Sequence, residues 1–352
     1  MAGEEKMPVA LIGLGGVGRV HFEVYREMPD VKIIAVAEPD AGRRAVAEAA
    51  GIPAFADHRS MLASAKPRVA CVLTPVSTHE AIVADCAAAG VHVLCEKPLA
   101  LSVASGRRMA EAAAAANVRL AYGASYRFLA AIRTAREMIL AGTIGDVVIL
   151  RETLIGGAGP ESRRPIGPIH YPAGGIGGGP MGLIDHGIHL VDTFRWLAGS
   201  EIVAASGRGN VSGEAMGAEW MAMTFANGAL GLLLYDDGTW PTELPAEGAF
   251  SWGAGWDLSG RVEGGQWNPQ PGIIHVHGTK GALRIAHYAN HLHQIDGRGI
   301  RQVPLSGDAA PAQFSRQLRS LLASVRTGQP LEVPAEEGVA ALAAIERLYD
   351  RR

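Results

Sequence analysis

The chain has 352 residues, with 32 Lys+Arg against 35 Asp+Glu and a formal charge of −3; the length predicts roughly two domains, each able to bury its own core. With 48% hydrophobic and 19% charged residues, it is neither disordered nor a polyelectrolyte, and its near-neutral balance offers no basic surface for nucleic acid. No apolar run approaches the roughly 20 residues of a bilayer span. Cys71, Cys86 and Cys95 form no C-x-x-C pair, and the acidic start Met1-Ala2-Gly3-Glu4-Glu5-Lys6 is unlike a signal peptide, so a reduced, cytoplasmic protein is expected. The unusual number is 45 glycines, a content that calls for special backbone conformations or loops.

Met7 to Leu14 is a short apolar run, the pattern of a strand buried on both faces of a parallel sheet. It enters Gly13-Leu14-Gly15-Gly16-Val17-Gly18, a G-x-G-x-x-G, and Val17, Val20, Val24 and Met28 then recur at near-helical spacing. In this arrangement the glycines give a tight turn, close approach of backbone to a pyrophosphate, and helix–strand contact, while the helix N-terminus offers its N–H groups to the phosphates. The next strand, Val31 to Ala37, ends at Glu38. A carboxylate there accepts ribose hydroxyls and repels a 2′-phosphate, so NAD is favoured over NADP, with Arg43 and Arg44 just beyond as the countervailing feature.

The alternation continues through a strand at Val69 to Leu73, then Thr74-Pro75 and a helix expected to open on a Ser77-x-x-Glu80 capping box. Gly90 closes it; a strand from Val91 to Cys95 leads into Glu96-Lys97-Pro98, followed by a helix over 103–116 and a strand near 119–122. Such units form a doubly wound parallel sheet with ligands at the carboxyl ends of its strands, where Gly13 to Gly18, Glu38, Thr74 and Lys97 all fall. A lysine on that edge can bond a substrate hydroxyl, and partial desolvation would bring it toward proton-transfer range.

Beyond Tyr126-Arg127-Phe128 the pattern predicts a helix over 129–141 stopped by Gly142, a strand over 147–154, and a long Gly- and Pro-rich loop over 156–182. The loop leads into Asp185-His186-Gly187-Ile188-His189, read as helix, so that Asp185 and His189 stack at i and i+4 and the carboxylate orients the imidazole as a proton acceptor. After residue 200, Glu219, Met221, Met223 and Phe225 alternate, Asn227-Gly228 makes a hairpin turn, and 229–235 returns. Trp240, Trp252, Trp256 and Trp267 lie in the irregular 236–271 stretch, where they either pin the loop or a subunit contact, or stack on substrate. His275, His277, His287, His291 and His293 cluster late without a Cys or a suitable acidic ligand, so ordinary strand histidines are favoured over a metal site. A last helix over 336–349 carries Val339, Leu342, Ile345 and Leu348 as an apolar stripe.

Taken in order, the G-x-G-x-x-G with Glu38, Thr74-Pro75…His79, Glu96-Lys97-Pro98, Tyr126-Arg127-Phe128 and Gly179-Pro180…Asp185-x-Gly187-x-His189 resemble the glucose–fructose oxidoreductase / inositol dehydrogenase (Gfo/Idh/MocA) family over nearly the whole chain. His277-Gly278-Thr279-Lys280-Gly281 resembles its turn between late strands, and Gly328-Gln329-Pro330 its approach to the last helix. Val76 and His186 depart from the pattern, standing where Asn and an apolar residue are common.

The resemblance implies an α/β protein: a Rossmann domain over 1–125, then an α+β domain over 126–352 with a large, open, mostly antiparallel sheet, the last helix packing back on the body of the protein. It implies NAD(P)-dependent oxidation or reduction of a secondary carbinol of a sugar, cyclitol or related polyol. Lys97 and His189 would handle the hydroxyl proton, with Asp185 holding His189 or a neighbouring hydroxyl. Gly13, Gly15, Gly16, Val17, Gly18, Glu38, Thr74, Pro75, His79, Glu96 and Lys97 would serve the cofactor; Lys97, Tyr126, Arg127, Asp185 and His189 would meet substrate. No metal is implied, and a homodimer or homotetramer through the C-terminal sheet is expected. Two alternatives stand beside that activity: glycoside cleavage through transient oxidation and elimination with a retained NAD, and a non-enzymatic dinucleotide-sensing regulator on the same fold, against which Lys97, Asp185 and His189 argue.

Overall fold

The structure is a computed structural model that describes residues 5–155, 183–208, 219–236, 249–251, 255–257, 268–269, 273–287, 289–308 and 310–349. The glycine-rich stretch 156–182, with Gly179 and Pro180, and most of 236–271, with Trp240, Trp252 and Trp267, lie outside the described residues, as does the side chain of Trp256. The chain divides into two units: 1–125 with 311–342, and 126–310 with 343–352.

The first unit alternates strand and helix: β1 (Met7–Ile12), α1 (Gly16–Arg26), β2 (Val31–Ala37), α2 (Ala41–Ala49), β3 (Ala54–Phe55), α3 (His58–Ala65), β4 (Val69–Val72), α4 (His79–Ala88), β5 (His92–Glu96), α5 (Val103–Ala115) and β6 (Leu120–Gly123). The strands form one parallel sheet in the order β3-β2-β1-β4-β5-β6, a doubly wound Rossmann sheet whose order reverses between β1 and β4. β4 is buried at all four positions, as helices on both faces of a parallel sheet require. Phe22 and Tyr25 of α1 are completely buried against Val9, Leu11 and Cys71 in one core; side chains of this size stabilise by about 1.5–3 kcal/mol each when buried. All three cysteines are buried free thiols.

Asp40, Asp57 and Ser102 cap α2, α3 and α5 through their side chains. The helix expected to open on a Ser77-x-x-Glu80 capping box begins at His79. Residues 76–78 make a 3-10 turn, and the Glu80 carboxylate is held by Arg108 and Ser105 of α5.

The second unit opens with a 3-10 turn over 125–128, then α6 (Ala130–Leu140) and β7 (Val147–Ile155). Leu183–Gly187 is π-helical and runs into α7 (Ile188–Ala198). The strands that follow are β8 (Ile202–Arg208), β9 (Glu219–Phe225), β10 (Leu230–Asp236), β11 (Ala249–Ser251), β12 (Gly255–Asp257), β13 (Asn268–Pro269), β14 (Ile273–Gly278), β15 (Ala282–Ala286), β16 (His291–Asp296) and β17 (Gly299–Gln302). Eight of them form a sheet in the order β17-β16-β15-β14-β7-β10-β9-β8, and β12-β11-β13 make a small separate one. Every pairing in the large sheet is antiparallel except β7 with β10. Helix α7 lies against β7, and α6 against β15 and β16, so one face of the sheet is covered. That face is apolar in its middle, with Leu150, Met221, Leu233, Ile274 and Ile285 all buried.

The expected second domain runs to the chain terminus, whereas α8 (Ala312–Thr327) and the first half of α9 (Ala335–Tyr349) group with the first unit. The reason is hydrophobic: Leu318, Leu321 and Leu322 of α8 belong to the same buried cluster as Phe22 and Tyr25. Proline at 334 bridges to Ala121 on the edge strand β6.

Candidate active site

In the first unit the residues of interest sit where β1, β2, β4 and β5 end. Gly13 has φ +99, and a Cβ there would come within 2.8 Å of the Leu73 carbonyl oxygen. A Cβ on Gly18 would run into the Gly13 carbonyl oxygen, so these two glycines let α1 and the β1–α1 turn pack closely. Gly15 and Gly16 differ: a Cβ on either meets nothing within 4 Å. Their open backbone precedes an 11-residue helix whose N-cap makes no side-chain bond and whose first turn has no acidic residue. The free N–H groups and helix dipole at such a terminus suit a pyrophosphate. Val17 is exposed beside them.

Glu38 is buried at the end of β2. Its Oε2 accepts the Leu14 amide at 2.7 Å, and its Oε1 accepts the Asp40 amide at 3.0 Å and an Arg43 N–H at 2.8 Å. Burial raises its pKa, but the Arg43 bond and the two amides outweigh this and hold the carboxyl below its usual value. A carboxylate offers about four lone-pair sites; three are used, which leaves one for a ribose hydroxyl. Arg44 turns to the carbonyls of Glu38 and Pro39. Both arginines are thus engaged with the β2 end itself. This glycine loop and buried carboxylate fit a dinucleotide.

Thr74 accepts the Thr78 hydroxyl at 2.8 Å, with Pro75 next to it. His79 is buried, and its side chain faces backbone rather than open space. Nε2 lies 2.9 Å from the Thr74 carbonyl, and Nδ1 lies 3.1 and 3.2 Å from those of Pro98 and Leu99. Burial lowers its pKa, opposed by these carbonyls. His79 thereby fills the space between the loop after β4 and the loop after β5. Glu96 is also turned inward: its Oε1 meets His21 at 3.1 Å and its Oε2 accepts the Lys97 amide at 3.1 Å. Lys97 itself is half-buried, in a cis peptide with Pro98.

The second unit gathers its own cluster. Tyr126 is buried, with its ring stacked on His189 at 4.2 Å and 8° and tilted 4.8 Å from His287. Asp185 and His189, both half-buried, are four residues apart but not on a regular α-helix: Asp185 stands in the π turn, whose wider winding changes the angle between the two side chains. Arg127 is held bidentately by Asp192, at 2.7 and 2.6 Å, with both groups buried, and its guanidinium lies 5.7 Å over Trp196. His186 meets the buried Glu152 at 3.2 Å, and Glu219 accepts the Leu183 amide at 2.7 Å, anchoring the start of the π turn.

Glu152, Asp192, Glu219 and, among the late histidines, His287 carry no local motif that marks a role. The available signal was a break in apolar alternation. On the covered face of the sheet, Leu150 is followed by Glu152 and Met221 is preceded by Glu219. His275, His277, His291 and His293 lie on the opposite face from Ile274, Val276 and Leu292, while His287 is completely buried beside Tyr126. Among the described residues no three His, Cys, Asp or Glu are grouped as metal ligands.

Comparison with known proteins matches this arrangement twice. Residues 7–124 match the model described as "Oxidoreductase family, NAD-binding Rossmann fold", and residues 132–284 match the "GFO/IDH/MocA C-terminal domain". The chain belongs to the Gfo/Idh/MocA family. It is an oxidoreductase with an NAD-binding Rossmann domain. Among relatives of this family, the rhizopine catabolism protein MocA of Rhizobium meliloti is 31% identical over 193 residues, 55% of this chain and 57% of that protein. The myo-inositol 2-dehydrogenase of Thermotoga maritima is 27% identical over 370 residues, 98% of this chain and 97% of that protein. The same fold is seen in the aldose-aldose oxidoreductase of Caulobacter crescentus, with a TM-score of 0.79 at 22% identity, covering 98% of this chain and 97% of that one.

Proposed function

We propose that this protein is an NAD-dependent dehydrogenase acting on a secondary carbinol of a sugar, cyclitol or related polyol. The observation that carries the reading is the sharing of one strand-end edge by the open glycine loop, the buried Glu38 and Lys97. The Thermotoga maritima relative, named for myo-inositol, is similar along nearly its whole length and supports the substrate class.

When bound, the nicotinamide supplies the hydride acceptor. The α1 terminus holds the pyrophosphate, and Glu38 uses its remaining lone pair for a ribose hydroxyl; because Arg43 is already paired with Glu38, NAD is preferred to NADP. His79 fills the space between the Thr74 and Lys97 loops rather than touching cofactor. Lys97 and His189 take the proton from the reacting hydroxyl, Tyr126 fixes the plane of the His189 ring by stacking, and Asp185 orients His189 or a neighbouring hydroxyl. Arg127, with Asp192 as its partner, shapes the wall of the substrate site.

The uncovered sheet face presents Ile149, Leu230, Leu232 and Trp220, all more than a third exposed, in neighbouring register on β7, β10 and β9. A second copy of this chain is its occupant, which gives a homodimer or homotetramer. No helix among the described residues is long and apolar enough to cross a membrane; the buried free thiols fit a cytoplasmic location.

The test is NADH formation from NAD or NADP over a panel of inositols, aldoses and glycosides. NAD-linked oxidation of at least one polyol supports the reading. Glycoside cleavage without net NADH, with cofactor retained on the protein, replaces it with the elimination mechanism.

A further inference from the structure

Behind the strand-end edge, α1 and β5 are joined by buried polar groups that no part of dinucleotide binding requires. His21, one turn beyond the glycine loop, is completely buried. Its Nδ1 lies 2.8 Å from the Tyr25 hydroxyl, its Nε2 lies 3.1 Å from Glu96 Oε1, and its ring is 4.2 Å from Phe314 of α8. The other Glu96 oxygen accepts the main-chain N–H of Lys97. One arrangement of protons satisfies the whole chain with a neutral imidazole. The Tyr25 hydroxyl donates to Nδ1, the Nε2–H donates to Glu96, and the Lys97 amide donates to the second oxygen.

Such a chain is a poor way to fill a core. Buried ionic and polar groups are commonly replaced by apolar ones of the same size at no loss of stability, and Phe22 and Phe314 already make this region hydrophobic. What the chain does achieve is geometric. The Lys97 peptide is fixed at its N–H by Glu96, and the next two carbonyls pack against His79. From behind, β6 approaches so closely that a Cβ on Gly123 would sit 2.7 Å from Glu96 Cα. Of these restraints only the Glu96–His21 link reaches α1, the helix whose first turn forms the phosphate cradle.

We propose that His21 and Glu96 are positioning residues for Lys97: they tie the main chain of the lysine to the helix that receives the cofactor phosphates. The proposal rests on the reading of Lys97 given above, and its test has a readout that does not need turnover. Lysine acetylation by acetic anhydride, followed by mass spectrometry, measures Lys97 against the exposed Lys32 and Lys66, with and without NAD. Steady-state oxidation of myo-inositol by NAD measures kcat and KM.

In Glu96→Gln, Lys97 acetylation relative to Lys32 and Lys66 should rise at least about threefold. Its kcat should fall about 10- to 100-fold, the scale of a misplaced catalytic group, while KM for NAD stays within about twofold. His21→Leu should behave in the same way. His21→Gln, whose amide still donates to Glu96, should recover most of the wild-type labelling ratio and kcat. If the wild type oxidises no polyol, the proposed function fails, and the labelling ratio still decides the positioning role. An unchanged Lys97 ratio in folded Glu96→Gln and His21→Leu overturns it. So does a uniform rise at all three lysines, which would mark a role in stability alone.

Discussion

The carboxylate of Glu38 accepts the main-chain N–H of Leu14, inside the glycine loop, at 2.7 Å. The residue placed to recognise ribose therefore also holds the phosphate loop in shape, and Arg43 neutralises it from the exposed side. Replacing Glu38 by alanine removes an acceptor from a buried amide and frees Arg43. A hydrogen bond to a charged group contributes about 1.5–3 kcal/mol, equivalent to roughly 10- to 100-fold in affinity. NAD affinity should fall by that factor in Glu38→Ala and NADP affinity should fall less, as read by fluorescence titration with both cofactors.

Asp192→Ala removes the bidentate carboxylate partner of the buried Arg127 guanidinium. Loss of one partner of a buried ion pair costs about 3–5 kcal/mol, so denaturant unfolding should show a destabilisation of that size. Arg127→Met/Asp192→Leu, which removes both charges, should be closer to wild type in stability.

Tyr126 stacks on His189 and also touches His287. Tyr126→Phe keeps both ring contacts and should retain stability, whereas Tyr126→Ala should lower kcat by at least about tenfold through misorientation of His189. His189→Asn should lose about 10²- to 10⁴-fold, the contribution of a positioned proton acceptor. Thermal unfolding of Tyr126→Phe and steady-state kinetics of Tyr126→Ala and His189→Asn measure these effects.

His275 on β14 has its pKa lowered to about 4, first by burial and then by Arg151 and Arg284. Its folded pKa lies below the unfolded value of about 6.5, so the unfolded state binds its proton more readily. The stabilisation is complete above about pH 6.5 and is lost as pH falls toward 4. Thermal unfolding across that range should show a decline in wild type that is shallower in His275→Gln.

Much of the first unit is legible in the sequence because short apolar runs, Gly and Pro mark parallel strands and their ends; β2 runs over the residues that the pattern predicts, Val31–Ala37. The roles of the site side chains are less legible, since they depend on partners far away in sequence. Asp192 is 65 residues from Arg127, and Glu96 is 75 from His21. Nothing local to Glu80 announces that Arg108, 28 residues on, will hold its carboxylate. Nor does the spacing of Asp185 and His189 distinguish a π turn from an α-helix. His287 lies just past the end of β15 and is buried beside Tyr126, whereas the other late histidines stand on β14 and β16.

The most direct test of the proposed chemistry compares wild type with Lys97→Met in NAD-linked oxidation of myo-inositol and related polyols, with NAD affinity measured on the same samples. Wild type should form NADH in equal amount to the ketone, and Lys97→Met should lose at least about 10²-fold in kcat with NAD affinity within about threefold. Turnover by Lys97→Met at the wild-type rate would contradict that chemistry.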